Sequence, residues 1–313
     1  MAGEGIGYGK VIIFNEHFVV YGVPAIVSAI EKYTLAKVDK GKNAPYTADD
    51  KRPEVPGYKD EKKEMFCKSV FNIAHALGID LYENPVHIYL GGDLIAASGI
   101  GASAASCVAI GRAMAKHFGI DLNDDEVNNV AYEGEKAYHG NPSGIDNTAS
   151  TYGGLIWFVR GTEGNIMERM SMPKSMHIVM ANTGIVADTS RAVALVRERK
   201  EKEPEWFSSL ASEAQRIAED GRKALMDGDV AKVGELMNKN HELLQELGVS
   251  CRELEDLVQI ARDNGAVGAK LTGGGLGGFM VALAKDASTQ EIIARAMEEE
   301  GYYVLKTRIG FKR

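Results

Sequence analysis

The stretch Ser98-Gly-Ile-Gly-Ala-Ser-Ala-Ala105 constrains this chain most, because two glycines and two serines run straight into a small-residue helix start. Glycine has no Cβ to block an approaching anion and takes backbone angles closed to other residues. Residues 103–116 have helical character, so the free N–H groups and positive dipole end of that helix face back toward the loop. Together these make an anion site. A tight turn ahead of a closely packed helix is the alternative. The helix carries Ala104, Ala105, Ser106, Ala109, Gly111 and Ala113, small enough to admit another backbone, which predicts a central position for it.

A chain of 313 residues with 45% hydrophobic composition buries a sizeable core and is long enough for two domains. Its net charge of −8 argues against a nucleic-acid footprint. Cys67, Cys107 and Cys251 are odd in number and lie in neither metal-ligand nor disulfide spacing, so a reducing cytoplasm is expected. No basic-then-apolar leader opens the chain and no apolar run has bilayer length, so no membrane association is expected.

Taken in order, residues 10–14 are an apolar, β-branched strand. Asn15-Glu16-His17 interrupts it before a second apolar piece, so Lys10, Glu16 and His17 flank one strand end. Residues 24–30 and 34–38 are candidate next strands. Residues 40–58 hold three prolines and are polar, either a lid or a disordered loop. A helix over 61–77 and a strand over 86–90 lead to the glycine-serine loop. After Gly119, Asn123 with Glu126 three residues on starts a further helix.

That helix carries an anomaly. Val127, Ala131, Gly134 and Tyr138 form a small or apolar stripe, and Glu135 falls on it. A carboxylate there needs a partner, and the nearby helix C-terminus disfavours its charge. A salt bridge to Arg or Lys would satisfy it, and so would Mg²⁺ held beside substrate phosphates. Next comes the turn-rich segment 139–147, where Asp146 is either a candidate base beside the phosphate site or an Asx-turn residue. A strand over 154–159, a hairpin or linker over 161–173 and a strand over 177–181 follow. Helices over 189–264, strands over 279–283 and 302–308 and a helix over 289–300 make an α+β second half.

Two glycine loops imitate a dinucleotide fingerprint. Gly273-x-Gly-x-x-Gly278 runs into a strand where a helix is required, and Asp121, spaced correctly after the first loop, lies in a helix-to-helix turn. A nicotinamide enzyme is therefore disfavoured, and no ordinary P-loop is present.

Four ordered segments resemble those of GHMP-superfamily small-molecule kinases, mevalonate kinases most closely. They are Gly9-Lys-Val-Ile-Ile-Phe-Asn-Glu-His-Phe-Val-Val-Tyr-Gly22, Ser98 to Ala105, Glu133 to Asn147 and Lys270-Leu-Thr-Gly-Gly-Gly-Leu-Gly-Gly278. The resemblance implies a two-domain α+β GHMP kinase fold: an N-terminal S5-domain-2-like α/β domain over 1–172 and a C-terminal ferredoxin-like α+β domain over 173–313. It implies ATP-dependent phosphorylation of the mevalonate C5 hydroxyl, a step of isoprenoid biosynthesis, with ATP and Mg²⁺ as cofactors. Asp146 and Lys10 are then catalytic. Gly99, Ile100, Gly101, Ala102, Ser103 and Ala104, with Gly274 and Gly275, hold nucleotide phosphates. Ser103 and Glu135 hold the metal, and Glu16, His17 and Thr189 face the substrate. Another GHMP kinase acting on phosphomevalonate, homoserine or a sugar is the runner-up. A ligand-binding sensor would be expected to have lost Lys10, Glu135 or Asp146, and none is lost. A small-molecule substrate is the expected partner, and the assembly stays open between monomer and homodimer. Tyr8, Asn15 and Ala102 depart from the family pattern, which has proline, glycine and serine there; asparagine tolerates the left-handed angles the glycine implies.

Overall fold

The computed structural model describes every residue except Met1, Ser98, Asn141, Glu163, Asp188, Lys312 and Arg313. The first residue of the glycine-serine loop and one residue of the 139–147 segment thus lie outside the described residues. The chain forms two compact units, each discontinuous in sequence: one comprises Met1–Lys10, Glu31–Ala97 and Gly101–Gly153, the other Val11–Ile30, Ser98–Ile100 and Gly154–Arg313. Strands β1 (Gly3–Phe14) and β2 (Ala25–Lys40) each run on from one unit into the other. No single cut in the sequence, at 172/173 or elsewhere, therefore separates the units.

In the first unit, β2 pairs antiparallel with β4 (Val86–Gly92), and β3 (Tyr46–Asp50) pairs parallel with β4. Helices α1 (Tyr58–Ala76), α2 (Ala102–Phe118) and α3 (Asp124–His139) bury one apolar core with this sheet, including Val70, Ile73, Ile88, Val108 and Met114. Helix α4 (Ile145–Tyr152) completes the unit. The small residues of α2 have a definite partner. A Cβ on Gly3, Gly5 or Gly7 of β1 would lie 2.0, 2.5 and 2.2 Å from the carbonyl oxygens of Ala113, Ala109 and Ala105. Two strand residues advance about 6.7 Å and four helical residues about 6.0 Å, so glycines at every second strand position meet alanines at every fourth helix position. Backbone packs on backbone, and the central helix is as expected.

Several expectations need correction. Residues 25–30 and 34–38 belong to the single strand β2, with Pro24 just ahead of it, because the charged pair Glu31-Lys32 faces partial exposure without breaking the extended run. The 40–58 stretch contains β3, whose residues are half-exposed or exposed; a strand with little buried surface leaves no apolar alternation to read. The α3 start is as expected: Asn123 Oδ1 accepts the Glu126 N–H at 3.0 Å, and Glu126 accepts the Asn123 N–H at 2.8 Å.

In the second unit, β5 (Leu155–Val159) pairs antiparallel with β2 and forms a hairpin with β6 (Ile166–Met170). A separate antiparallel sheet has the order β10-β7-β9-β8, made of Met176–Asn182 (β7), Gly268–Thr272 (β8), Phe279–Ala284 (β9) and Tyr303–Ile309 (β10). Helices α5 (Thr189–Lys202), α6 (Pro204–Asp227), α7 (Val230–Glu246) and α8 (Arg252–Asp263) lie between β7 and β8 in sequence, and α9 (Ala287–Glu299) between β9 and β10. This order and connectivity are ferredoxin-like.

Candidate active site

The first cluster belongs to the unit that holds α2, α3 and α4. Helix α2 starts at Gly101, which is left-handed (φ 71°), and no side chain caps it. Its first backbone bond runs from the Ala105 N–H to the Gly101 carbonyl, so the N–H groups of Ala102, Ser103 and Ala104 have no partner within the helix. A Cβ on Gly101 would come within 2.7 Å of Lys10 Cγ. Glycine there is what lets the Lys10 side chain pass the helix start. Lys10, almost fully buried, reaches the Asp146 carboxylate at 3.1 Å. Asp146 sits in the first turn of α4, launched by left-handed Gly144 (φ 86°), and not in a loop as the turn-rich sequence suggested. Its side chain keeps 27% exposure, so a ligand can reach it.

Glu135 is 1% exposed. Burial, and then the Asp146 charge, push its carboxyl up to about 8, against the hydrogen bond from Ser103 and the nearby Lys10 ammonium. The lysine or arginine partner that the buried stripe allowed is absent: no Lys or Arg nitrogen lies within 4 Å of it among the described residues. His139 Nε2 stands 3.7 Å away, but burial lowers the pKa of that imidazole, and the Cys107 thiol donates to Glu135 Oε1 at 3.9 Å. A buried carboxyl and a hydroxyl on adjoining helices form a donor set that suits Mg²⁺, which takes one or two protein oxygens and completes its shell from phosphates and water. Among the described residues no group of three His, Cys, Asp or Glu side chains could hold a metal alone.

Beside Ser103 a cavity of about 610 Å³ opens, lined by Tyr46, Arg52, Tyr58, Lys59 and Phe66 among others. Its size suits a small organic ligand. Arg52, nearly buried, grips Asp50 through Nε at 2.9 Å and Nη2 at 2.6 Å and donates to Ser106 at 2.5 Å. The arginine thus joins the 40–58 stretch to α2, a contact that nothing in the local sequence signals.

The second cluster belongs to the other unit. The Lys270 ammonium donates to Glu16 Oε1, with both side chains at most 1% exposed, and also to the Leu271 carbonyl at 2.7 Å. His17 Nε2 lies 2.8 Å from the Gly274 carbonyl oxygen, and burial lowers its pKa. The Thr272 hydroxyl bonds the Ile12 backbone at both N–H and carbonyl, each at 3.2 Å. The end of β1 and the C-terminal glycine loop are therefore one tied block. Thr189, exposed at the start of α5, approaches that loop, since a Cβ on Gly274 would meet its Oγ1 at 2.3 Å. Gly275 (φ 72°) is left-handed, and a Cβ on Gly273 would lie 3.2 Å from Gly99 Cα, so Gly99 abuts the second glycine loop. The second loop leads into β9, as the sequence indicated, which excludes dinucleotide geometry there. Lys270 was visible in the motif, but its pairing with Glu16 was not.

A glycine loop ahead of an uncapped helix, a lysine–aspartate pair and a ferredoxin-like second sheet fit the class of small-molecule kinases. Residues 66–154 match the family model "GHMP kinases N terminal domain" and residues 222–303 match "GHMP kinases C terminal". A mevalonate kinase of Pyrococcus horikoshii is 34% identical over 96% of this chain and 93% of its own length. The crystal structure of the L. major mevalonate kinase in complex with R-mevalonate superposes with a TM-score of 0.95 at 40% identity, covering 98% of this chain and 95% of that one. The Methanococcus jannaschii enzyme, at 23% identity and a TM-score of 0.80 over 99% of this chain and 98% of its own, shares the fold. The chain belongs to the mevalonate kinase family of the GHMP kinases.

Proposed function

We propose that the chain transfers the γ-phosphoryl group of ATP to the C5 hydroxyl of mevalonate, forming 5-phosphomevalonate. The observation that carries this reading is the Lys10–Asp146 pair at 3.1 Å, a buried lysine against a partly exposed aspartate, in the same unit as Glu135, Ser103 and the uncapped start of α2. Asp146 accepts or orients the proton of the attacking hydroxyl. Lys10 holds that carboxylate in place and balances charge on the phosphoryl in flight. Such transfer asks a protein mainly for in-line positioning and charge stabilisation.

The backbone N–H groups of Gly101, Ala102, Ser103 and Ala104 meet the nucleotide phosphates, the cavity beside Ser103 receives the nucleoside, and Gly99, Ile100, Gly274 and Gly275 of the other unit have a phosphate-binding role by resemblance to the family. Ser103 and Glu135 hold Mg²⁺, which when bound neutralises charge on the phosphates. His17, Glu16 and Thr189 serve the acceptor side. Glu16, committed to Lys270, shapes that side more than it reaches from it. No described helix is long and apolar enough to cross a membrane, and with the net charge of −8 this fits an enzyme of dissolved small molecules in the cytoplasm.

The test is ADP release with MgATP over mevalonate, phosphomevalonate, homoserine and galactose. Turnover with mevalonate is expected; turnover confined to another acceptor overturns the specificity. Asp146→Asn is expected to lower kcat by about 100-fold or more. Near-normal turnover would remove the role given to that aspartate.

A further inference from the structure

Asn15 stands where the family pattern has glycine, and its surroundings are built for its side chain. Its backbone is left-handed (φ 74°), and both it and Asn240 of α7 are fully buried. The Asn15 N–H donates to Asn240 Oδ1 at 3.2 Å, and Asn240 Nδ2 donates back to Asn15 Oδ1 at 3.1 Å. The remaining Asn15 amide protons go to the carbonyl oxygens of Pro24 and Ala214, each at 2.7 Å. Every donor and acceptor of that side chain is thus engaged. A glycine would reach the same φ but leave it free to change; the asparagine fixes it from three sides.

The next two residues are Glu16 and His17. Their other restraint passes through the neighbour of Asn240: His241 Nδ1 accepts the Leu271 N–H at 3.3 Å, and the residue before Leu271 is Lys270, the partner of Glu16. One turn of α7 therefore holds the Glu16-His17 pair from its backbone and from its ionic partner.

We propose that Asn15 and Asn240 are a positioning pair that sets the orientation of Glu16 and His17 toward the phosphoryl acceptor. The inference rests on the acceptor-side role given to those two residues above. Neither asparagine touches the acceptor; both act through the left-handed turn.

The experiment is steady-state kinetics of Asn15→Gly, Asn240→Ala and the double variant, with the melting temperature of each. Asn15→Gly can still reach the left-handed φ and adds no clash, so it tests the idea even where Asn240→Ala does not accumulate as folded protein. It is expected to raise KM for mevalonate about five- to tenfold while KM for ATP stays within about twofold. The double variant is expected to be no worse than the worse single one, because both break the same ring of hydrogen bonds. A lowered melting temperature with both KM values unchanged, an equal rise in both, or additive effects would each overturn the proposal. If the parent enzyme turns over a different acceptor, the same split is read with that acceptor, so the function and the positioning pair fail separately.

Discussion

Two buried glutamates with opposite fates divide this molecule. Glu16 is paired with a lysine as deeply buried as itself, while Glu135 has a thiol, a hydroxyl and an imidazole of lowered pKa around it and no lysine or arginine within 4 Å among the described residues. Burial penalises both charges. The first is answered within the fold, so its task is to hold shape. The second is pushed up to about 8 by burial and the Asp146 charge, and a cation bound beside it would favour its charged form. Where a buried acid finds its counter-charge separates a strut from a ligand.

The largest effect is expected from Lys270→Met. Removing one member of a buried pair leaves the other uncompensated and costs about 3–5 kcal/mol, readable by denaturant unfolding. Adding Glu16→Gln should recover most of that stability. A mild loss from Lys270→Met alone would break the comparison, because Glu16 would then need no resident cation.

Glu135→Gln should leave the fold intact and raise the Mg²⁺ concentration for half-maximal activity by roughly tenfold or more, with a matching loss of Mn²⁺ binding to the ADP complex by calorimetry. Unchanged metal affinity would make Glu135 a second strut.

The last expectation is a pH dependence of stability in the metal-free protein. The Glu135 carboxyl has its folded-state pKa raised from the ordinary 4.5 to about 8, so between those values the unfolded chain has released a proton that the native state keeps. Stability contributed at this position therefore falls as pH rises from about 4.5 to about 8 and is fully lost above that. Glu135→Gln, which cannot ionise, should melt progressively higher than the parent across this window. A gap that shrinks with rising pH would contradict the assignment.

Much of this could be read locally. The Asn123–Glu126 capping box, the glycines opening α2 and the placement of Glu135 on a buried stripe each depend on residues within a few turns of one another, where backbone geometry and side-chain period suffice. The β3 strand escaped because its residues are mostly exposed and it is held by parallel pairing to β4, which leaves no apolar alternation. The Gly3, Gly5 and Gly7 row was silent until the alanines of α2 came against it.

By itself the sequence determined that glycines open α2, which acid would be buried on α3 and which asparagine could occupy a left-handed turn, since these follow from glycine, helical period and short-range hydrogen bonding. Only the tertiary structure decided that Lys270 neutralises Glu16 and that, among the described residues, no lysine or arginine nitrogen comes within 4 Å of Glu135. Charge pairing between residues 254 apart, as for Glu16 and Lys270, depends on which surfaces packing brings together and which it strips of water, and no local pattern encodes that choice.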